Sequence, residues 1–156
     1  MFRNERFLYR RKSELTGQEI FSRFAPEAPI HAYENDHWNS DKWNPLDYGR
    51  EVDFSRPFLE QVKELMREVP WRNMATIGGV NSEYSNNFTD LKNCYMVFNS
   101  GFDEDCAYGN ALNRSKDMFD SSHAAKSELC YESFWLTNSS RVFWSSQIED
   151  SYDIYF

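Results

Sequence analysis

The sequence predicts a mainly β protein: a β-solenoid of about twelve residues per coil, with an N-terminal capping helix and a small N-terminal β region. Three observations predict it. Set in rows of twelve, Ser82, Cys94, Cys106, Met118, Cys130, Val142 and Ile154 share a column, and six places on a second column reads Phe88, Ser100, Leu112, Ala124, Leu136 and Ile148. Self-similarity at a fixed period marks stacked structural repeats. A third column reads Lys92, Glu104, Lys116 and Glu128. Stacked about 4.8 Å apart, these charges meet with opposite sign, and a shift of one residue destroys the pattern. The boundaries follow as a β/loop region over 1–48, a helix and linker over 49–79, and repeats over 80–156.

The N-terminal region opens on crowded basic residues, Arg3, Arg6, Arg10, Arg11 and Lys12. A turn at Thr16-Gly17 leads into a short strand ending near Phe21, and residues 30–33 form a second. His31, Glu34, Asp36, His37 and Asp41 lie close in sequence, but their spacing fits no standard ligand pattern and no cysteine supports them, so no metal and no cofactor are expected. The simpler expectation is a polar loop beneath two packing tryptophans, Trp38 and Trp43.

The helix is expected from about Ser55 to Val69. Ser55 stands at the N-cap and Pro57 in the first turn, while Phe58, Leu59, Val62, Leu65, Met66 and Val69 follow helical spacing and Pro70 ends the run. Glu60 and Glu64 reach Lys63 or Arg67 at neighbouring positions. Its apolar stripe suits a cap over the first coil, which otherwise exposes interior and strand edge.

Within each coil, twelve extended residues make a flattened loop of two short strands and two turns. The Ser82 and Phe88 columns face inward, and the turns are expected where Asn, Asp and Gly gather: Asn81, Asn93, Asp105 and Asp117, then Asn86, Asn99, Gly101, Gly109, Asn110 and Asn113. A coil of twenty-four residues is the alternative, because alternate rows are not identical. Leu91, Asp103, Ser115, Ser127, Ser139 and Ser151 form a column of mostly small hydroxyls, suited to binding backbone groups inside a corner. No histidine is placed to activate these serines, since the lone repeat histidine, His123, sits in another column.

The net charge of −8 argues against binding a phosphate backbone. The three cysteines, Cys94, Cys106 and Cys130, all lie in the inward column, and parallel stacking is poor geometry for a disulfide. Without a signal peptide or membrane-length apolar run, they are expected to be reduced thiols in a cytoplasm.

The composition includes 13 Phe, 9 Tyr and 5 Trp, more rings than a narrow interior holds. Strand alternation turns the column beside the inward one outward, and Tyr95, Phe119, Tyr131, Phe143 and Tyr155 in it are the candidate binding residues. The expected function is a non-enzymatic protein-interaction or scaffold module, binding a protein partner or a second copy through this stripe or through the open last coil. No catalytic residue is assigned, and neither nucleic acid nor membrane is an expected partner. Two alternatives stand beside it. An acidic nucleic-acid mimic would dock on a nucleic-acid-binding protein, and a polymer-acting enzyme would use Asp103, Asp105, Asp117 and Asp120 as acid and base.

Residues 41–43, 48–49, 53–58, 64–65 and 69–70, followed by Asn81-Ser82-Glu83-Tyr84, Lys92-Asn93-Cys94-Tyr95 and Ser127-Glu128-Leu129-Cys130-Tyr131-Glu132, carry a resemblance. Together they resemble a group of cysteine-rich repeat proteins from uncultured bacterial lineages, often with a zinc-ribbon-like N-terminus ahead of many repeats. The resemblance implies no catalytic residue. Ser13 and Glu14 stand where it implies cysteine ligands, so a working zinc ribbon is not expected. The fewer cysteines and repeats suggest a short or truncated member.

Overall fold

The structure is a computed structural model, describing residues 6–156; Arg3 of the basic N-terminal run lies outside the described residues. It divides into two compact units, the first ending at Met74 and the second running from Ala75 to Phe156.

The first unit begins with an antiparallel hairpin, β1 (Tyr9–Lys12) against β2 (Glu19–Ser22). Its turn places Gly17 at φ +73°, a conformation open to glycine because it has no Cβ. The basic run thus includes a strand. Arg11 tucks its side chain inward, donating to the carbonyls of Ile30 (2.9 Å) and Ala25 (3.3 Å). A second, parallel pairing joins β3 (Ala32–Tyr33) to β4 (Trp71–Arg72). Asn73 fastens the two pairings: its amide donates to the Phe21 carbonyl at 2.8 Å, and its own carbonyl accepts from Arg23 N.

The short helix α1 (Asn35–Trp38) and a 3₁₀ turn at Pro45–Tyr48 hold the tryptophans. Trp38 and Trp43 pack with ring centroids 5.6 Å apart, and their indole N–H groups donate to Pro70 O and Trp38 O. Buried indoles need such acceptors.

Helix α2 spans Phe58–Glu68, starting later than Ser55. Ser55 does not cap it. Its N–H and hydroxyl both bind the Asp53 carboxylate, and Gln61 reaches back to the backbone of Asp53. Glu64 pairs with Arg56 and Glu68 with Arg50, so the ion pairs staple the helix to its lead-in rather than linking helical neighbours.

The second unit is a β-solenoid of about seven turns at about twelve residues per coil. One parallel sheet stacks β5 (Thr76–Val80), β6 (Asn86–Lys92), β7 (Phe98–Gly101), β8 (Asn110–Asn113), β10 (Ser122–Ala125), β12 (Phe134–Thr137) and β14 (Ser146–Glu149). The other stacks β9 (Lys116–Phe119), β11 (Glu128–Tyr131), β13 (Ser140–Phe143) and β15 (Tyr152–Tyr155). Partners differ by twelve in every solenoid pairing, as in Cys130↔Val142 and Leu136↔Ile148, which rules out a twenty-four-residue coil.

Inside each coil the rule is three, not two. From Asn81 onward every third residue has a φ between about +47° and +65°, and the residue after it points inward. Four such triplets close one coil. The inward columns are therefore four: the Ser82 column, the Phe88 column, the Leu91 column and one through Ser85, Val97, Gly109, Ser121, Ser133 and Ser145. Gly109 belongs there for space, since a Cβ would lie 2.6 Å from Leu112 Cδ1. The turn positions expected from Asn and Asp are thereby corrected. Asn93, Asp105 and Asp117 do occupy left-handed positions, which suit their short polar side chains. Yet such positions recur four times per coil, and Leu129, Trp135 and Trp144 fill them too.

Candidate binding surface

The inward columns are chemically quiet, and their hydrogen bonds say why. A serine hydroxyl there donates to the carbonyl two residues back and accepts the N–H of the residue twelve ahead. Ser127 donates to Ala125 O at 3.0 Å and accepts from Ser139 N; Ser133 donates to Tyr131 O at 2.9 Å and accepts from Ser145 N. The hydroxyls satisfy backbone groups that would otherwise be orphaned in the core. They are spent, leaving none poised as a nucleophile.

The thiols copy half of this pattern, Cys106 and Cys130 donating to the carbonyls of Glu104 and Glu128 at 3.2 Å. All three cysteines are free and buried. Contact with Cys94 and burial hold the Cys106 thiol protonated, and burial pushes Cys130 up.

Asp103 is the exception. It sits in the Leu91 column at 1% exposure, where the later coils carry serine. Its Oδ1 accepts from Ser115 N at 2.9 Å, as a serine oxygen would, while Oδ2 is buried with no hydrogen-bond partner. Burial raises its pKa from the ordinary 3.8 to about 6, against the opposing hydrogen bonds from the Ser115 and Gly101 backbone. The other carboxylates considered for acid–base chemistry do not join it: Asp105 and Asp117 stack in one outward column and Asp120 stands in another. An open groove of about 520 Å³ lies near Arg114, Lys116, Lys126, Ser139 and Asp150, and three of its serines, Ser127, Ser139 and Ser151, belong to the spent ladder.

In the first unit, Glu34 gathers the polar residues. Ser13 donates to its Oε2 at 2.5 Å, Thr16 donates to Oε1, and His37 Nδ1 lies 3.6 Å from Oε2. The residue sharing this cluster with Ser13 is thus Thr16; Glu14 instead meets His31. Asp36 and Asp41 make no side-chain contact with it that would complete a ligand set, and no group of three or more His, Cys, Asp or Glu among the described residues could hold a metal ion. Burial opposes ionisation of Glu34, but the Ser13 and Thr16 hydrogen bonds outweigh it and hold the carboxyl below its ordinary range. A lowered folded pKa stabilises above the unfolded value and is lost as pH falls through the folded one. Glu34→Gln is therefore expected to speed hydrogen exchange in β1 and β2 at pH 7, costing about 1 kcal/mol, with the difference fading in acid.

The outside of the solenoid is where the rings stand. Tyr95, Phe119 and Tyr155 are 44%, 46% and 55% exposed, and Tyr131 and Phe143 are half-buried in the same column. Beside it runs a second outward column of Tyr84, Met96, Tyr108, Asp120, Glu132, Trp144 and Phe156, all at positive φ. The two columns interlock. Tyr84 meets Tyr95 and Tyr95 meets Tyr108 edge to face, Tyr131 meets Trp144 likewise, and Phe143–Tyr155 and Trp144–Phe156 stack with centroids 5.2 Å apart. Elsewhere the surface mixes polar ladders with exposed Phe102, Leu129, Phe134 and Trp135. Asn81–Asn93–Asp105 and Asn87–Asn99 form side-chain ladders, Lys92 binds Glu104 at 2.5 Å, and Arg141 binds Asp153. Lys116 sits 3.9 Å from Asp105, so the alternating Lys/Glu column is bonded at its first step and neighbours the next column at its second.

No protein-family model, curated protein or solved structure matches the chain. Among the described residues no helix is long and apolar enough to cross a membrane.

Proposed function

We propose that the protein is a non-enzymatic interaction module that binds a partner protein or a second copy through its outer aromatic face. The observation that carries this reading is the way the rings are used. Successive rings pack on one another, edge to face or stacked with centroids 5.2 Å apart, and form an exposed stripe along the coils. Such packed, part-exposed rings suit the close-packed contact of a protein surface, where aromatic residues are enriched. An exposed apolar stripe flanked by polar ladders has the arrangement of a docking surface. No cofactor enters this reading, and neither nucleic acid nor membrane does. Reduced, buried thiols fit a cytoplasmic setting.

Affinity capture from the source cells, followed by identification of the bound protein, tests the reading. Wild-type chain is expected to retain one dominant partner, or itself, and Tyr95→Ser/Tyr131→Ser/Phe143→Ser to lose it. Equal capture by the two chains overturns the proposal.

A further inference from the structure

Charge on the solenoid is sorted by face, and the aromatic face received only one sign. All five solenoid cations, Lys92, Arg114, Lys116, Lys126 and Arg141, lie in columns away from it. The two aromatic columns carry Glu83, Asp120 and Glu132 and no base. Asp120 and Glu132 are successive in one column, one coil apart, exposed, and framed by Tyr108, Phe119, Tyr131 and Trp144. Neither is ion-paired among the described residues; on the other faces Glu104, Asp105 and Asp153 each have a cation within 4 Å, while Asp117 and Glu128 are as unpaired as this pair, which makes them a matched control. The neighbouring Glu132 carboxylate raises the Tyr131 pKa.

Two like charges about 4.8 Å apart repel, and a desolvating partner would make that repulsion worse unless it brought positive charge. The rings around them supply what a cationic side chain needs besides a counter-ion: apolar surface for its stem and, for a guanidinium, π-density. We infer that the partner presents an arginine-bearing basic segment to this face, with its cations seated between Asp120 and Glu132. This deepens the interaction proposal and rests on it.

The probe is a fluorescein-labelled nona-arginine peptide, titrated against the full chain at 150 mM salt and read by anisotropy, with a citrulline peptide as the uncharged counterpart. Three chains are compared: wild type, Asp120→Asn/Glu132→Gln, and Asp117→Asn/Glu128→Gln. The last removes the same charge from outside the aromatic face, so bulk attraction is matched. Binding is expected to weaken at least about ten-fold in the first variant and no more than about two-fold in the second. Equal weakening in both variants, or equal binding of the citrulline peptide to wild type, overturns the inference. If that happens while the triple serine variant still loses its cellular partner, the cationic partner falls and the aromatic interface stands. If the triple variant also keeps its partner, both fall.

Discussion

Asp103→Ser is expected to stabilise the protein at pH 7.5 and to flatten its pH dependence. The wild-type carboxyl is buried, half-satisfied and raised to about pH 6 from 3.8. A group whose folded pKa exceeds its unfolded one contributes stability that is fully present below about pH 4 and is lost as pH rises through 6. The protonated form supplies the donor that each serine of the ladder has; the ionised form does not. The shift corresponds to up to about 3 kcal/mol lost between pH 4 and 7. Serine restores both the donor and the acceptor for Ser115 N, at some cost in side-chain volume. Thermal melts across pH 4–8 check this. Wild type is expected to lose midpoint steadily between pH 5 and 7, and the variant to stay level over that window. A variant less stable than wild type at pH 7.5 would show that Asp103 is compensated in a way its geometry does not indicate.

Leu136→Ala and its neighbour Trp135→Asn should differ in the direction opposite to side-chain size. Leu136 is 1% exposed and stacks between Ala124 and Ile148, so truncation leaves a cavity in a core one side chain wide. The expected loss is about 3 kcal/mol. Trp135 is larger, but it is 55% exposed and sits at φ +58°, a conformation that bulky residues resist and asparagine accepts. It meets His123 and Phe134 only edge on, so its replacement is expected to cost under about 1 kcal/mol. Urea titrations of the two variants measure both values. A larger loss from Trp135→Asn would reverse the assignment of inside and outside.

The period of twelve was legible because parallel stacking repeats each residue's environment on the next coil, so the Cys94 and Leu112 columns are apolar apart from Ser82 and Ser100 whatever their neighbours do. The interior of a coil was harder to read. Left-handed positions announce themselves through Asn and Asp, but the ladder tolerates Leu129, Trp135 and Trp144 there, and residue type alone hides the spacing of three. Reading Asn93 and Asp105 as turn centres followed from that. The column through Ser85, Ser121, Ser133 and Ser145 passed unnoticed because buried serine looks like exposed serine in a sequence; its partners are backbone groups twelve residues away. The odd residue in the Leu91 column was visible as Asp103 among serines, though without burial it reads as solvent-facing acid.

The candidate surface was half legible. Periods of two and three agree on the residue just after an inward one, so Tyr95, Phe119, Tyr131, Phe143 and Tyr155 are placed outward by either. They disagree one residue later, where alternation turns Tyr108 and Trp144 inward and the triplet turns them out, 54% and 47% exposed. That second column, with Asp120 and Glu132 in it, was missed for this reason. In the first unit, the basic run of Arg10, Arg11 and Lys12 concealed a strand, because Arg11 finds its acceptors in the carbonyls of Ala25 and Ile30.

The fold, the spent serine ladder and the outward aromatic face all depend on four three-residue steps per coil. Excising a whole coil tests that most directly. Removing residues 121–132 sets Leu112 beneath Leu136 and Met118 beneath Val142, with every column intact. The shortened chain is expected to melt cooperatively and keep its β circular dichroism per residue, losing about one repeat's share of stability. Removing residues 122–132 instead shifts every later side chain by one position, so Val142 leaves the core and Arg141 is carried into its place; that chain is expected not to fold beyond the cut. If the two deletions behave alike, whether both folded or both unfolded, the twelve-residue, four-step coil is contradicted.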